Sequence, residues 1–459
     1  MCGKKRERRL FQFSLFTAPV ACGCLPNSHT LLLCVFVGRR AGRIELKFLM
    51  LGTSEARQAL DAPLLPTTGG GPSAAAAGTV EGGHTGSTTA GKARVDLLDN
   101  AKAVLIACVV LYHAAVVYTS ADRPEGVIPF WSGLLAILKM IVMPCFCLIS
   151  GHLSPAAFDD RRARSLFALF ITYMSFQILY YLNIMLSFRL NGFPFEPLPV
   201  KVFQPEGQAV TWFLLALLIW RISLPLFSTM RWPITASLLV GSVALFIDLG
   251  VNFQNIASFF PYFIIGHRLP RTLWQDIQNR HMMRRASAAF SLSVTAAMLV
   301  FSVYGGEAFA ECFARLGLTY ACFNGAPPAE HADECGSIRE LASRLAFYVA
   351  SAPLILGFLC MLPTKRGVWS VPGYMSMYVY LLHPLILFNP LMMHFAFEFL
   401  SQFYGREVNV WSPATDSSAP WFILPVAMLV CALLSTRGTR AVFWPIVEPP
   451  IDALFIMRS

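Results

Sequence analysis

Charged residues are scarce in this chain. Only 14% of its 459 residues are Asp, Glu, Lys or Arg, whereas soluble domains carry about 25%. Hydrophobic residues make up 56% and the mean hydropathy is +0.56. The composition therefore excludes an ordinary soluble domain and predicts an all-α polytopic membrane protein whose first partner is the lipid bilayer.

Signals for metal and nucleic-acid binding are missing as well. The 12 cysteines include no CxxC pair and no Cys/His group at zinc-ligand spacing, so we expect no metal site. A net charge of +10 is typical of nucleic-acid binding, but the basic residues lie in short segments between apolar runs, where they direct membrane topology. We therefore expect no nucleic-acid partner. The chain also lacks an Asn-x-Ser/Thr sequon, so glycosylation gives no guide to sidedness.

Residues 1–91 differ from the rest of the chain. A basic start leads into an apolar run at 10–37, which prolines interrupt. A tract rich in Gly, Ala, Thr and Ser follows at 67–91, and it cannot bury a core, which predicts a disordered linker. The apolar run is a targeting segment, an extra membrane helix or spurious upstream sequence, and these alternatives stay open.

Residues 92–440 are predicted to form one membrane domain of about ten helices, followed by a cytoplasmic tail at 441–459. The predicted helices lie near 101–119, 131–153, 165–187, 210–227, 233–249, 255–269, 286–304, 341–362, 372–397 and 419–436.

Charge alternates from one connection to the next. Basic connections carry Arg161, Arg162, Arg164, Arg231, Arg268, Arg271, Arg280, Arg284, Arg285, Lys365, Arg366, Arg437 and Arg440. The other connections carry Glu196, Glu206, Asp248, Glu307, Glu311, Glu330, Asp333, Glu334, Glu407 and Asp416. The positive-inside rule then places both termini in the cytoplasm and the loop at 305–340 outside. That loop holds Cys312, Cys322 and Cys335, which predicts one disulfide with its pairing open.

His113 lies deep within the first apolar stretch, with Lys102 earlier on the same helix. Eleven residues at about 100° each return to within roughly 20° of one direction, so both side chains share a face, about 16 Å apart. Asp99, one turn before Lys102, can pair with it. Ionisable side chains at bilayer depth are costly and indicate function. The alternatives are an interhelical hydrogen bond for His113 and a topology anchor for Lys102.

Further candidate residues lie at the end of the second helix, directly after it, and in later helices. Ser150 and His152 end the second helix, and Arg161 and Arg162 follow as a possible phosphate-binding patch, although topology explains these arginines equally well. In the ninth helix, Tyr380 precedes His383, a second buried histidine placed before a proline; a structural hydrogen bond is its alternative role. Trp212 opens the fourth helix, where sugar stacking and an interfacial aromatic belt both explain it.

Five motifs together resemble the membrane acyltransferase-3 family, which includes bacterial enzymes that O-acetylate surface polysaccharides and nodulation-factor sugars. The resemblance covers roughly residues 95–440. The motifs are Leu98 to His113, Met143 to Gly151, Thr211 to Leu215, Phe259 to Gly266 and Tyr380 to His383. Two positions depart from the family pattern: Lys102 stands where an arginine is usual, and Thr211 where a histidine often precedes the tryptophan. Lysine keeps the charge but loses the planar fork of arginine.

The resemblance implies an acyltransferase that moves an acyl group, most often acetyl from acetyl-CoA, to a hydroxyl of a carbohydrate or similar acceptor at the outer or luminal face. It implies His113 as the general base. It also implies a donor site formed by Lys102 with Asp99, by Ser150 and His152, and by Arg161 and Arg162. The residues that it implies for acceptor binding are His383, Trp212 and Tyr380.

The rival class is a secondary transporter of a small solute, which would also have about ten helices and buried ionisable groups. Transporters commonly show internal repeats, and the two halves of this chain show none. The acceptor, the acyl chain length and the oligomeric state stay open at this stage. A plasma membrane or endomembrane location is favoured.

Overall fold

The computed structural model describes residues 34–40, 43–49, 96–116, 129–190, 210–247, 249, 251–270, 272–305, 318–322, 335–365, 367, 370–387, 389 and 419–451. The chain divides into two units, Met1–Thr89 and Ala90–Ser459. In the first unit, β1 (Cys34–Arg40) pairs antiparallel with β2 (Arg43–Leu49), with Arg40 opposite Arg43. The rest of the predicted apolar run at 10–37 and the tract at 67–91 lie outside the described residues.

The described part of the second unit is helical. Its helices are α1 (Asp96–Val116), α2 (Pro129–Leu153), α3 (Asp160–Leu190), α4 (Trp212–Thr229), α5 (Pro233–Val243), α6 (Val251–Arg268), α7 (Leu273–Asn279), α8 (His281–Tyr304), α9 (Ile338–Met361), α10 (Ser370–Tyr374), α11 (Ser376–Leu387), α12 (Ala419–Leu434) and α13 (Arg437–Val447). A 3-10 turn, Ala244–Phe246, extends α5, and residues 318–322 form a further short helical stretch.

Each predicted apolar stretch coincides at least in part with a described helix, and the ninth is divided between α10 and α11. Among the described helices, six are long and apolar enough to cross a membrane: α1, α2, α3, α4, α8 and α9. The pair α12 and α13, bent by 71°, makes a seventh if it counts as one span. The chain is thus a multi-pass membrane protein. The count of about ten spans and the cytoplasmic termini stay predictions. The end of α12 also leads directly into α13, which runs past residue 440, the predicted end of the membrane domain.

The helices differ in how much apolar surface they bury. In α2, 78% of the most apolar window is buried, because α2 packs against α1, α6, α8 and α9. In α8 the corresponding share is 6%, and Phe290, Leu292 and Val300 are exposed. Because polypeptide at bilayer depth meets hydrocarbon instead of water, an apolar outer surface on α8 is what a membrane-facing helix requires.

Two glycines bring α2 and α6 into backbone contact. A Cβ on Gly151 would overlap the carbonyl of Phe263, and a Cβ on Gly266 would overlap the carbonyl of Leu148. Each glycine follows, by three residues, the carbonyl that the other one faces, so the two contacts are reciprocal. Small residues permit this close approach of membrane helices, and these two end the second and fourth motifs of the sequence.

A disulfide joins Cys322 to Cys335. This is one of the pairings that the sequence leaves open, and Cys312 lies outside the described residues. The fully buried Arg344 side chain of α9 donates through Nη2 to the Cys322 carbonyl at 3.3 Å and through Nη1 to the Gly241 carbonyl at 2.6 Å. The disulfide-linked segment is therefore fixed to α9 and, through α9, to the end of α5.

We expect Gly266→Ala to destabilise the protein by about 1–3 kcal/mol or more, because the added methyl group requires α2 and α6 to move apart. Thermal unfolding of the purified protein in detergent measures the change. Gly438→Ala is the matched control, since its Cβ would meet its nearest atom, in Thr436, at an ordinary 3.8 Å. Equal melting temperatures for the two variants would contradict the close-packing account.

Candidate functional site

Two histidines from distant parts of the sequence meet inside the helix bundle. His113 of α1 and His383 of α11 have ring centroids 5.3 Å apart, with an angle of 37° between the ring planes. Tyr112 contacts His113 edge to face, with centroids also 5.3 Å apart. Both histidines were predicted separately from the sequence, and the packing of α11 against α1 places them side by side.

The hydrogen bonding of His383 fixes which ring nitrogen is available. Its Nδ1 lies 2.9 Å from the Val379 carbonyl oxygen. A carbonyl can only accept, so in this contact Nδ1 carries the hydrogen and the neutral ring keeps its lone pair on Nε2. Within the described part of the chain, Nε2 is buried and has no hydrogen-bond partner. His383 thus offers an unused acceptor beside His113.

A series of aromatic contacts connects this pair to the start of α4. The Tyr380 ring lies 6.2 Å from His383 and 5.6 Å from Phe213. Phe213 contacts Trp212 at 5.8 Å, and Trp212 stacks on Phe259 of α6 at 5.4 Å. The three predicted acceptor residues therefore belong to one contiguous group with His113, which we call the histidine cluster: His113, His383, Tyr380, Phe213 and Trp212.

The Tyr380 hydroxyl holds α4 to α11. It donates to the main-chain carbonyl of Val210, immediately before α4 begins. Thr211, which stands where the resembled family often has a histidine, is fully buried at this junction. The position of α4 relative to α11 therefore depends on the Tyr380 hydroxyl as well as on the packing of the aromatic rings.

Sequence reasoning missed Lys139, an ionisable residue in the interior of α2. Its Nζ lies 5.4 Å from the centroid of the Tyr320 ring, and Tyr320 contacts Phe259 at 6.1 Å. A cation over an aromatic face is stabilised by the ring quadrupole. The rule that singled out His113, an ionisable residue within an apolar stretch, would have found Lys139 too.

The start of α1 carries a second group of predicted residues. Lys102 pairs with Asp99 at 3.1 Å, as the spacing predicts, and Asp99 is largely buried. The neighbouring Asn100 is 1% exposed, and its amide nitrogen donates to the carbonyls of Pro363 at 2.7 Å and Lys365 at 3.0 Å. Its amide oxygen accepts from the Ser370 hydroxyl at 2.5 Å. Asn100 thus anchors the connection between α9 and α10, a role that sequence reasoning did not assign.

The end of α2 carries a third group. Nε1 of Trp274, which is buried in α7, donates to Nε2 of His152 at 2.5 Å, and the two rings meet edge to face at 5.0 Å. The Ser150 carbonyl accepts from the Ser154 hydroxyl at 2.7 Å, and the Ser154 carbonyl lies 3.1 Å from Nδ1 of His267. His152 is therefore oriented by a tryptophan that the sequence did not indicate.

The two predicted arginines are in different environments. Arg161 is exposed at the start of α3. Arg162 is buried, and its guanidinium donates to the carbonyls of Pro155 at 2.5 Å, Ala157 at 2.9 Å and Arg221. Three of its five N–H donors are thus used by the main chain, which fixes the connection between α2 and α3 against α4.

Among the described residues, no group of three or more His, Cys, Asp or Glu side chains could hold a metal ion. The predicted site residues thus fall into the histidine cluster, the Asp99 and Lys102 pair, and the end of α2 with the arginines that follow it.

Comparison with known proteins assigns most of the chain to a family. A family model described as an acyltransferase domain (Acyl_transf_3) matches residues 95–437, which is more than half of the chain and includes all three groups. No curated protein and no solved structure matches the chain.

We expect Asn100→Ala to lower the stability of the protein by about 2–4 kcal/mol, because it leaves two carbonyls and a hydroxyl without their buried partner. Ser370→Ala removes one of those hydrogen bonds and the one that the Ser370 hydroxyl accepts from the Gly367 N–H at 3.0 Å, and it should cost less, about 1–2 kcal/mol. Melting temperatures of the purified proteins measure both. A loss for Ser370→Ala as large as that for Asn100→Ala would show that Asn100 is not the anchor.

Proposed function

Since the chain belongs to the membrane acyltransferase-3 family and is an acyltransferase, we propose that it moves an acetyl group from cytoplasmic acetyl-CoA to a hydroxyl of a carbohydrate or similar acceptor. The acceptor lies at the luminal or outer face of a plasma membrane or endomembrane. One observation carries the proposal: His113 and His383, with ring centroids 5.3 Å apart, meet where the aromatic side chains of α4 and α11 converge. Ionisable groups at this depth indicate a site for polar substrates.

His113 acts as the general base in this proposal. A neutral imidazole keeps a lone pair on one ring nitrogen, which lets it take a proton from an alcohol as the alcohol oxygen attacks. That oxygen bonds to the thioester carbonyl carbon, the proton passes to a His113 ring nitrogen, and the carbon–sulfur bond then breaks. The coenzyme leaves as a thiolate and regains a proton. The acceptor gains an ester, and no oxidant or metal enters the balance.

His383, Tyr380 and Trp212 bind the acceptor. The free Nε2 of His383 accepts a hydrogen bond from a hydroxyl of the acceptor, next to the one that reacts. A pyranose offers such neighbouring hydroxyls, and its apolar face can lie against the Trp212 and Tyr380 rings. Both rings belong to the same contact series as His383, which supports this role.

The phosphates of the acyl donor bind at the Asp99 and Lys102 pair and at the end of α2 with the arginines that follow it. Lys102, held by Asp99 at 3.1 Å, and the exposed Arg161 supply cations at the end of the protein predicted to face the cytoplasm. Arg162 contributes chiefly by fixing the main chain that carries Arg161, because most of its donors are already used. Ser150 and His152 line the donor's path at the end of α2.

We expect His113→Gln to lower acetyl transfer about 10²- to 10⁴-fold, the usual contribution of a general base. Incorporation of labelled acetyl from acetyl-CoA into membrane-associated acceptors measures the change at equal protein levels. His281→Gln, at an exposed histidine that begins α8, is the matched control and should keep the wild-type rate. Wild-type transfer by His113→Gln would rule out His113 as the base.

We expect His383→Gln to raise KM for the acceptor about tenfold while changing kcat less, because it disturbs positioning but leaves the base in place. Release of free coenzyme, followed with a thiol reagent over a panel of neutral saccharides, separates the two parameters. A fall in kcat equal to that of His113→Gln, at unchanged KM, would instead make His383 the base.

A further inference from the structure

An apolar cavity lies beside α6, and no residue of the histidine cluster lines it. Its volume is about 190 Å³. Helices α2, α5, α6, α7 and α9 form its walls. Pro261, Tyr262 and Ile265 line it from α6, Trp274 from α7, and Ile355 from α9.

The polar side chains in these walls already form hydrogen bonds within the protein. The Tyr262 hydroxyl pairs with the Ser351 hydroxyl at 2.7 Å, and the Tyr348 hydroxyl donates to the Ser258 carbonyl at 2.7 Å. The Trp274 indole donates to His152. Water would find no free partner in such a cavity, and apolar cavities of this kind bind apolar ligands.

The cavity opens toward the membrane. Ala352 and Leu356, one turn apart on α9, line the cavity and are also exposed, Leu356 to 39%. They lie within the candidate span Ile338–Met361, so the opening faces hydrocarbon. A hydrocarbon chain is therefore the ligand that can enter from the side.

One end of the cavity lies at an arginine-rich connection. Along α6 it extends from Pro261 to Leu269, about 12 Å at 1.5 Å per residue. Leu269 directly follows Arg268, and the end of α7 directly precedes Arg280; both arginines are exposed. Positive charge beside an apolar cavity matches an amphiphile with an anionic head and a hydrocarbon tail.

We propose that this cavity binds one acyl chain of an anionic phospholipid, with the headgroup beside Arg268 and Arg280. No residue of the histidine cluster lines the cavity, and the Phe259 ring lies between the two, with centroids 5.4 Å from Trp212 and 6.3 Å from Tyr262. A chain in the cavity thus lies apart from the reacting groups, which favours a bound lipid over the chain of an acyl donor. The lipid fills the space behind α6 and packs against Trp274, the residue that orients His152.

The test uses the full-length protein in phosphatidylcholine nanodiscs containing a trace of phosphatidylserine with a diazirine in one acyl chain. After irradiation, we expect label on Tyr262 and Ile355, which are buried behind the surface that surrounding lipids contact. Ala352→Trp, which fills the opening, should lower this labelling about tenfold. Val349→Trp is the control, at a position 75% exposed on the same helix but outside the cavity lining, and should leave the labelling unchanged.

Leu356→Trp, at the other side of the opening, gives a second variant in case Ala352→Trp fails to fold, which gel filtration reports. Unchanged labelling in a folded opening variant would overturn the proposal. The same diazirine chain on phosphatidylcholine should label about tenfold less, and equal labelling would overturn the anionic headgroup. Loss of labelling when palmitoyl-CoA is present during irradiation would assign the cavity to the acyl chain of the donor and overturn the lipid assignment.

Discussion

The contact between α2 and α6 determines where the other parts of the site lie. Gly151 and Gly266 bring the two backbones together, and a side chain at either position would overlap a carbonyl of the other helix. With α6 fixed in this way, Phe259 meets Trp212, and the neighbouring Tyr262 lines the apolar cavity. The end of α2 is fixed by the same contact, and His152 there meets Trp274.

The sequence identified individual site residues, but it did not show which residues of other helices contact them. A helical period identifies the face on which His113 lies, but it does not say which helix packs on that face. The contact with His383 arises from the packing of α11 on α1, a tertiary feature without a local signal. The same reason explains why Trp274 was missed: its importance comes from one hydrogen bond to His152 across the chain. Lys139 carried the same signal as His113, an ionisable residue at bilayer depth, and could have been found.

The positions of the helices were easier to predict from the sequence than the number of helices that span the membrane. Apolar runs mark helices because the backbone at bilayer depth must satisfy its own hydrogen bonds. Whether a helix spans the membrane also depends on length and tilt, and α5 and α11 are apolar but short. Charge patterns likewise predicted a basic side without showing that Arg162 would use its donors on main-chain carbonyls.

The central claim is that the histidine cluster transfers an acetyl group from a donor on the arginine-rich side to an acceptor on the other. Sealed vesicles with the arginine-rich face outward, supplied outside with acetyl-labelled acetyl-CoA, test it most directly. The account predicts free coenzyme outside, label covalently attached to an acceptor inside, and loss of both in His113→Gln. Label that stays unattached inside, or that is attached to an acceptor on the outer face, would contradict it.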